Sequence, residues 1–373
     1  MKQPAWERLP LLACAFAALF AGMAAGLWRL GWSASDSLAA LSMSHGPLMV
    51  SGFLGTVISV ERAVALNASG KDRWAWFGPV FSGAAGLALI LGAPAQIAVV
   101  AFVLASSILT AASFLIYSRQ RELFTLTLAL GAACWLNGNL LWLAGLPVSD
   151  TVTWSAAFLV LTIAGERLEL SRVLPPSAMA RRVFAALVAA LLAGCTLAIA
   201  DRHAGTLLLG AVLLGLSIWF LRQDIARRTV KASGLTRFIA VCLLAGYAWL
   251  AIAGLIMIVG GGLGRAGPAY DAALHAVFLG FAFSMIFGHA PIIFPAVLRV
   301  AVPYSTAFYA PLVLLHGSLT VRLAGDWMLS SALRAWGGAL NGLAILAFVI
   351  GTVTAVVRGR MTAHNRQTQR KQP

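Results

Sequence analysis

The sequence predicts an all-α, polytopic membrane protein of about twelve transmembrane helices, on three observations. Of 373 residues, 60% are apolar and 10% charged, with a mean hydropathy of +0.88. Apolar runs of about 20 residues, the length a helix needs to cross hydrocarbon, recur along the whole chain. The charged residues fall between those runs in a strict alternation.

The runs place spans at roughly 9–31, 38–60, 74–94, 97–117, 123–146, 151–170, 183–200, 204–221, 238–260, 270–294, 304–324 and 333–357. Most boundaries are marked by flanking charges, while spans 3 and 4 are separated by the uncharged Gly92-Ala93-Pro94. Spans 1 and 2 are separated by Arg29 and Asp36, spans 2 and 3 by Arg62, Lys71 and Arg73, and spans 4 and 5 by Arg119 and Arg121. Asp150 opens span 6, and Arg181-Arg182 lead into span 7. Asp201-Arg202 divide spans 7 and 8, and Arg227-Arg228 with Lys231 divide spans 8 and 9. Arg265 and Asp271 precede span 10, Arg322, Asp326 and Arg334 lie between spans 11 and 12, and a basic tail from Arg358 to Lys371 follows.

With the N-terminus in the cytoplasm, 22 of the 27 Lys and Arg lie inside, and the outer segments hold five basic and five acidic residues. The whole formal charge of +15 is then cytoplasmic, as the positive-inside rule requires. The basic balance is therefore topology, and it carries no case for nucleic acid. The expected setting is the lipid bilayer of a bacterial-type inner membrane, with both termini cytoplasmic. Span 1 is too long, and its flanks too poor in a small-residue cleavage site, for a removable signal, so it is expected to be a retained helix. Loops are short throughout, giving one transmembrane domain over 1–357 and a basic cytoplasmic tail over 358–373.

The four cysteines, Cys14, Cys134, Cys195 and Cys242, lie in different spans without CxxC spacing and read as packing residues. Span 2 carries "FLGTVISVER", Phe53 to Arg62, and span 6 carries "FLVLTIAGER", Phe158 to Arg167. Span 10 repeats only an opening, "FLGFAFSMIF", Phe278 to Phe287. Spans 2, 6 and 10 are four helices apart, which points to three pseudo-repeated four-helix units. The two Glu-Arg pairs sit at inner helix ends, where an anchoring salt bridge is the expected role.

Ionisable groups inside a bilayer mark function by default. His203, in an outer turn, and His364, in the tail, are expected to be solvated, whereas His45, His275, His289 and His316 fall in spans. At about 1.5 Å per residue, His45, His275 and His316 share a layer roughly 8–12 Å from the outer ends of their helices. His289 lies about 21 Å deeper than His275 on nearly the same face. Two imidazoles on different helices suit a haem iron. Gly46, Gly52, Gly280 and Gly317 would leave room for the macrocycle, and Arg322 would meet its propionates. Interhelical hydrogen bonding is the alternative for each histidine. Asp271 stands one turn before His275 and would orient it or cap the helix, and His289 and Asp271 are candidates for a proton-handling or second site. Asn137 and Asn139 point to different faces of span 5, so an interhelical hydrogen bond is expected from at least one.

Twelve spans in three units, with His45 on span 2 and His275 on span 10, resemble the catalytic subunit of the haem-copper oxidases and their relatives of the NnrS type, across the whole chain as architecture. The resemblance implies a haem-binding protein of the nitric oxide or respiratory stress response, working with a redox partner or a small gas ligand. His45 matches the family's span 2 haem ligand, and His275 the span 10 region that supplies its partner; His316 is an alternative ligand. Spans 6 and 7 carry none of the family's copper-ligating histidines, and the single His45 stands where NnrS-like proteins usually carry a pair. Copper is therefore not expected, nor is a turnover enzyme. The alternative function is a proton-coupled secondary transporter of a small solute with His289 as its proton site, and a third is an assembly protein without a ligand. No nucleotide-binding, zinc-protease or serine-hydrolase motif is present.

Overall fold

A computed structural model describes residues 5–32, 36–67, 72–170 and 175–369. Lys71, Arg370 and Lys371 lie outside the described residues, which contain helices, turns and loops and no strand.

The twelve expected spans are all present as helices: α1 (Leu9–Arg29), α2 (His45–Leu66), α3 (Phe77–Ile90), α4 (Ala95–Arg119), α5 (Leu123–Leu143) and α6 (Val148–Leu170) form the first half. The second half holds α7 (Ala178–Ala200), α8 (Arg202–Gln223), α9 (Gly234–Val259), α10 (Pro268–Pro295), α11 (Tyr309–Trp327) and α12 (Ser331–Gln369). Eleven are long and apolar enough to cross a membrane. The exception, α3, has 14 residues and is extended by a 3-10 turn over Arg73–Trp76. Residues Asp36–Ser42 make a short helix before α2, and α12 runs on past residue 357 into the tail.

Side-chain oxygens set several of these ends. The hydroxyl of Ser177 accepts from the Ala180 N–H at the start of α7, and the Asp201 carboxylate accepts from the Ala204 N–H at the start of α8, satisfying donors that a helix start leaves free. Gly92, at φ +76°, turns the chain after α3, a conformation glycine adopts without steric cost.

Burial differs along the bundle. Over an apolar 18-residue stretch, α2 is 61% buried, α6 67% and α10 72%, against 56% in α8, 50% in α5 and α9, 39% in α4 and α11 and 33% in α1, α7 and α12. The three most buried of these helices, α2, α6 and α10, are four apart in sequence and are called the central helices below. Two of these central helices are wound unusually: α2 over Leu48–Gly55 and α10 over Ala276–Phe283 are π-helical for eight residues each. In the single-turn form, π-helical insertions concentrate at functional sites.

Superimposing those two segments corrects the repeat register for α10. Leu48 falls on Ala276, so Gly52 matches Gly280 and Phe53 matches Phe281, rather than Phe278. The chemistry agrees with the new register, because Thr56 Oγ1 donates to the Gly52 carbonyl and Ser284 Oγ to the Gly280 carbonyl. The Phe-Leu-Gly likeness at 278–280 is a coincidence of residues common in membrane helices. In this register Glu61 aligns with His289, and the gapless match of spans 2 and 6 aligns Glu61 with Glu166.

Close helix contacts depend on single glycines. A Cβ added at Gly205 of α8 would lie 2.2 Å from the Ala198 backbone nitrogen of α7. Gly205→Ala is accordingly expected to cost about 2–3 kcal/mol, measured by unfolding in mixed micelles. Gly317 has nothing within 4 Å of the same added atom, so Gly317→Ala should be neutral or stabilising by up to about 1 kcal/mol.

Candidate functional site

The face carrying the start of α1, the end of α12 and most of the basic residues is called the basic face below; the opposite one is the neutral face.

Near the neutral face, α2, α10 and α11 bring together His45, His275, Asp271 and Arg322. His45 Nδ1 lies 2.7 Å from the Gly22 carbonyl of α1, and His275 Nδ1 lies 2.8 Å from the Asp271 carbonyl. A carbonyl only accepts, so both rings carry their proton on Nδ1 and present the Nε2 lone pair. His275 lies near His45, and Arg29 and Arg322 lie near His45 as well. The room for the His45 ring comes from α1, where a Cβ on Gly26 would stand 2.9 Å from Cε1. Neither Gly22 nor Gly26 was singled out from sequence; their four-residue spacing on α1 was the available signal.

His316 is differently bonded. Its Nδ1 accepts from Trp249 Nε1 of α9 at 2.8 Å, and the two rings stack. Because an indole N–H only donates, the neutral His316 ring holds its proton on Nε2, which is buried and unpartnered. That tautomer offers no lone pair at Nε2.

Arg322 is committed elsewhere than expected. Its Nε and Nη2 donate to the two Asp271 oxygens at 2.9 Å each, and Arg322 is 7% exposed. A bidentate partner already occupies the guanidinium, so Arg29, exposed at the end of α1, is the cation left for a propionate in this layer. Asp271 is thus a structural counter-ion whose main chain orients His275. The glycines also differ from expectation. A Cβ on Gly52 would meet Ala18 Cβ at 2.9 Å, and one on Gly280 would meet Trp249 Cγ at 2.4 Å. Both admit neighbouring protein rather than a cofactor.

Among the described residues no three or more His, Cys, Asp or Glu are grouped to hold a metal ion. A porphyrin supplies four nitrogens itself and asks two axial ligands of the protein, which His45 and His275 fit in tautomer, layer and helix. The four cysteines are free. Asn139 donates to the Phe102 carbonyl and to Ser106 on α4, the expected interhelical bond.

A second polar site lies toward the basic face. A cavity of about 670 Å³ is enclosed by α1, α2, α6, α10 and α12, and Glu61, Glu166 and His289 line it. His289 Nδ1 is 2.7 Å from the Met285 carbonyl, and its Nε2 is buried without a partner. The anchoring salt bridges expected within the Glu-Arg pairs do not form among the described residues. Arg167 instead donates to Asp224, Nε at 2.8 Å and Nη2 at 3.0 Å. Tyr247 and the Ala226 N–H complete that carboxylate's partners. Burial alone would raise the Asp224 carboxyl, but the Arg167 hydrogen bond and charge, with Tyr247 and Ala226, outweigh it and hold the group below the ordinary carboxylate range.

Fold and sites define an all-α polytopic membrane protein whose three central helices carry an imidazole pair near one face and an acid–imidazole cavity near the other. The chain belongs to the family described as a domain of unknown function, DUF8744, whose model matches residues 8–357. No curated protein and no solved structure matches it.

Proposed function

We propose that this chain is a haem-binding protein of a bacterial-type inner membrane, of NnrS or haem-copper type, with its basic face in the cytoplasm. The haem would be held by His45 and His275 near the outer leaflet. One observation carries the reading: on two central helices and in one layer, both imidazoles are pinned through Nδ1–H to main-chain carbonyls. Outer-shell hydrogen bonds of that kind orient metal-ligating histidines and raise their basicity.

When bound, haem supplies one-electron chemistry or binds a small gas, as in a nitric oxide or respiratory stress response. The chain's own part is to fix the two rings, through Gly22 and Asp271, and to exclude water with α1 and α9. Arg29 is the cation suited to a propionate.

Protein purified from haem-supplemented cells is expected to show a Soret band, with sharp α and β bands after dithionite reduction. His45→Ala and His275→Ala should each lose the low-spin spectrum while His316→Ala keeps it. A colourless wild-type protein, or a spectrum unchanged in both ligand variants, overturns the proposal.

A further inference from the structure

The cavity toward the basic face is the largest feature that the haem reading leaves unused, and it forms a wedge between the first and last helices. Near the neutral face these two ends of the chain touch. A Cβ on Gly338 would stand 2.2 Å from Leu30 Cδ1, and the Trp32 and Trp336 rings meet edge to face with centres 4.7 Å apart. Toward the basic face the cavity separates them, lined from Leu9 to Phe20 on α1 and from Ile345 to Val357 on α12. Leu9, Phe20, Val353 and Val357 line it and are still 39–57% exposed, so the gap reaches the outside of the bundle. At about 1.5 Å per residue these stretches run for about 16–18 Å, close to the roughly 15 Å of hydrocarbon in one leaflet.

The inner wall is mostly apolar, with Phe53 and Phe283 stacked at 6.2 Å between ring centres. Its threonines are already used, Thr162 donating to the Phe158 carbonyl and Thr352 to the Phe348 carbonyl. Glu61 and Glu166 face the cavity without a hydrogen bond or ion pair among the described residues. An unpaired carboxyl beside apolar groups is cheapest in its neutral form, so both offer O–H donors, and the Trp6 indole on the same wall offers an N–H. His289 lies eight residues before Val297, about 12 Å farther from the basic end.

Cations surround that end. The chain puts an arginine beside the last lining residues of each of three segments: Arg8 between Trp6 and Leu9, Arg299 directly after Leu298, and Arg358 directly after Val357. Arg8 Nη1 donates to the carbonyl of Val297, a lining residue, while its Nε is buried without a hydrogen-bond partner. Arg299 lies near Arg8 and is exposed, in the left-handed conformation at φ 55°. Glu7 stands 3.9 Å from Arg8 with its side chain 72% exposed, a separation and exposure at which an ion pair offsets little charge. An unmet buried guanidinium N–H, a second cation beside it and an apolar groove of leaflet length call for an anion that carries an acyl chain.

We propose that the wedge binds one anionic phospholipid from the leaflet on the basic face, its phosphate held by Arg8 and Arg299 and one acyl chain lying along the cavity between α1 and α12. The lipid brings phosphate and ester oxygens, all acceptors, to guanidinium, indole and carboxyl donors. A zwitterionic head carries the same phosphate but sets a quaternary ammonium among arginines. Selectivity for net negative charge therefore separates a site from a gap that any lipid fills.

The test is native mass spectrometry of the delipidated full-length protein titrated with dioleoylphosphatidylglycerol or dioleoylphosphatidylcholine. The first phosphatidylglycerol is expected to bind about 10- to 50-fold more tightly than the first phosphatidylcholine, as two arginines at a membrane surface imply. Arg8→Gln with Arg299→Asn should bring the two lipids to within about threefold, and asparagine tolerates the left-handed conformation at 299. Phosphatidylglycerol with a diazirine in its acyl chain should cross-link to Leu9–Phe20 and Ile345–Val357. Equal binding of the two lipids by wild type overturns the proposal and needs no variant. So do cross-links confined to other helices, or displacement of phosphatidylglycerol by glycerol 3-phosphate at equal concentration, which would mean that the acyl chain contributes nothing. None of these readouts involves haem, so their outcome stands apart from that of the optical spectrum.

Discussion

Asp224→Ala is expected to destabilise the protein by about 3–5 kcal/mol, the cost of leaving a buried guanidinium without its partner. The side chains of Arg167 and Asp224 are 6% and 4% exposed, and Arg167 donates twice to this one carboxylate. Tyr247 O–H, 2.6 Å from the same group, would lose its acceptor as well. SDS titration in mixed micelles measures the loss, and the double variant Arg167→Met, Asp224→Ala should recover more than half of it. A loss below about 1 kcal/mol in the single variant would mean that water reaches the pair and screens it.

The same carboxylate gives a pH dependence whose sign is determined. Its folded-state pKa lies below the ordinary value, chiefly because the Arg167 hydrogen bond and charge outweigh burial. The unfolded state therefore binds the proton more readily, so the stabilisation is complete above the ordinary carboxylate pKa and is lost as pH falls through the folded one. Asp224→Asn should flatten the acid limb of the stability profile and leave its alkaline side unchanged.

How far this molecule is legible in its sequence depends on whether the signal is local. Span length and flanking charge are local, and they recover the twelve long helices, including α3, whose Arg73 and Trp74 mark its start, but not the short helix Asp36–Ser42, which they join to span 2. The shared layer of His45 and His275 follows from counting residues at a known rise. The role of Glu61 and Glu166 was open to the same kind of reasoning. Neighbouring residues on a helix point about 100° apart, so Glu61-Arg62 and Glu166-Arg167 are poorly placed to pair within themselves. What remained hidden is tertiary: Asp224 reaches Arg167 from the loop after α8, and Trp249 fixes the tautomer of His316. The π-helical windings of α2 and α10 have no composition signal of their own. The equivalence of Glu61 and His289 stays hidden because the two residues differ in type and the Phe-Leu-Gly likeness at 278–280 offers a competing register.

Arg322→Ala is the second change with a large expected effect, about 3–4 kcal/mol by the same logic of a broken buried pair. The site around Arg322 has no room for another arrangement. A Cβ on Gly337 would stand 2.5 Å from the Arg322 backbone nitrogen, and one on Gly338 would stand 2.8 Å from Nη1, so α12 closes over the guanidinium. Removing it leaves Asp271 facing Asp326, with Arg334 approaching the latter only to 3.7 Å. Because the Asp271 main chain also holds His275 through Nδ1, the change is expected to loosen the first turn of α10 and the imidazole with it. Arg322→Ala, Asp271→Asn, which removes the stranded charge, should restore more than half of the lost stability. If the guanidinium served a propionate instead of Asp271, the single variant would lose stability only in haem-loaded protein and the second substitution would rescue nothing. Measuring both variants with and without haem therefore separates a structural counter-ion from a cofactor contact.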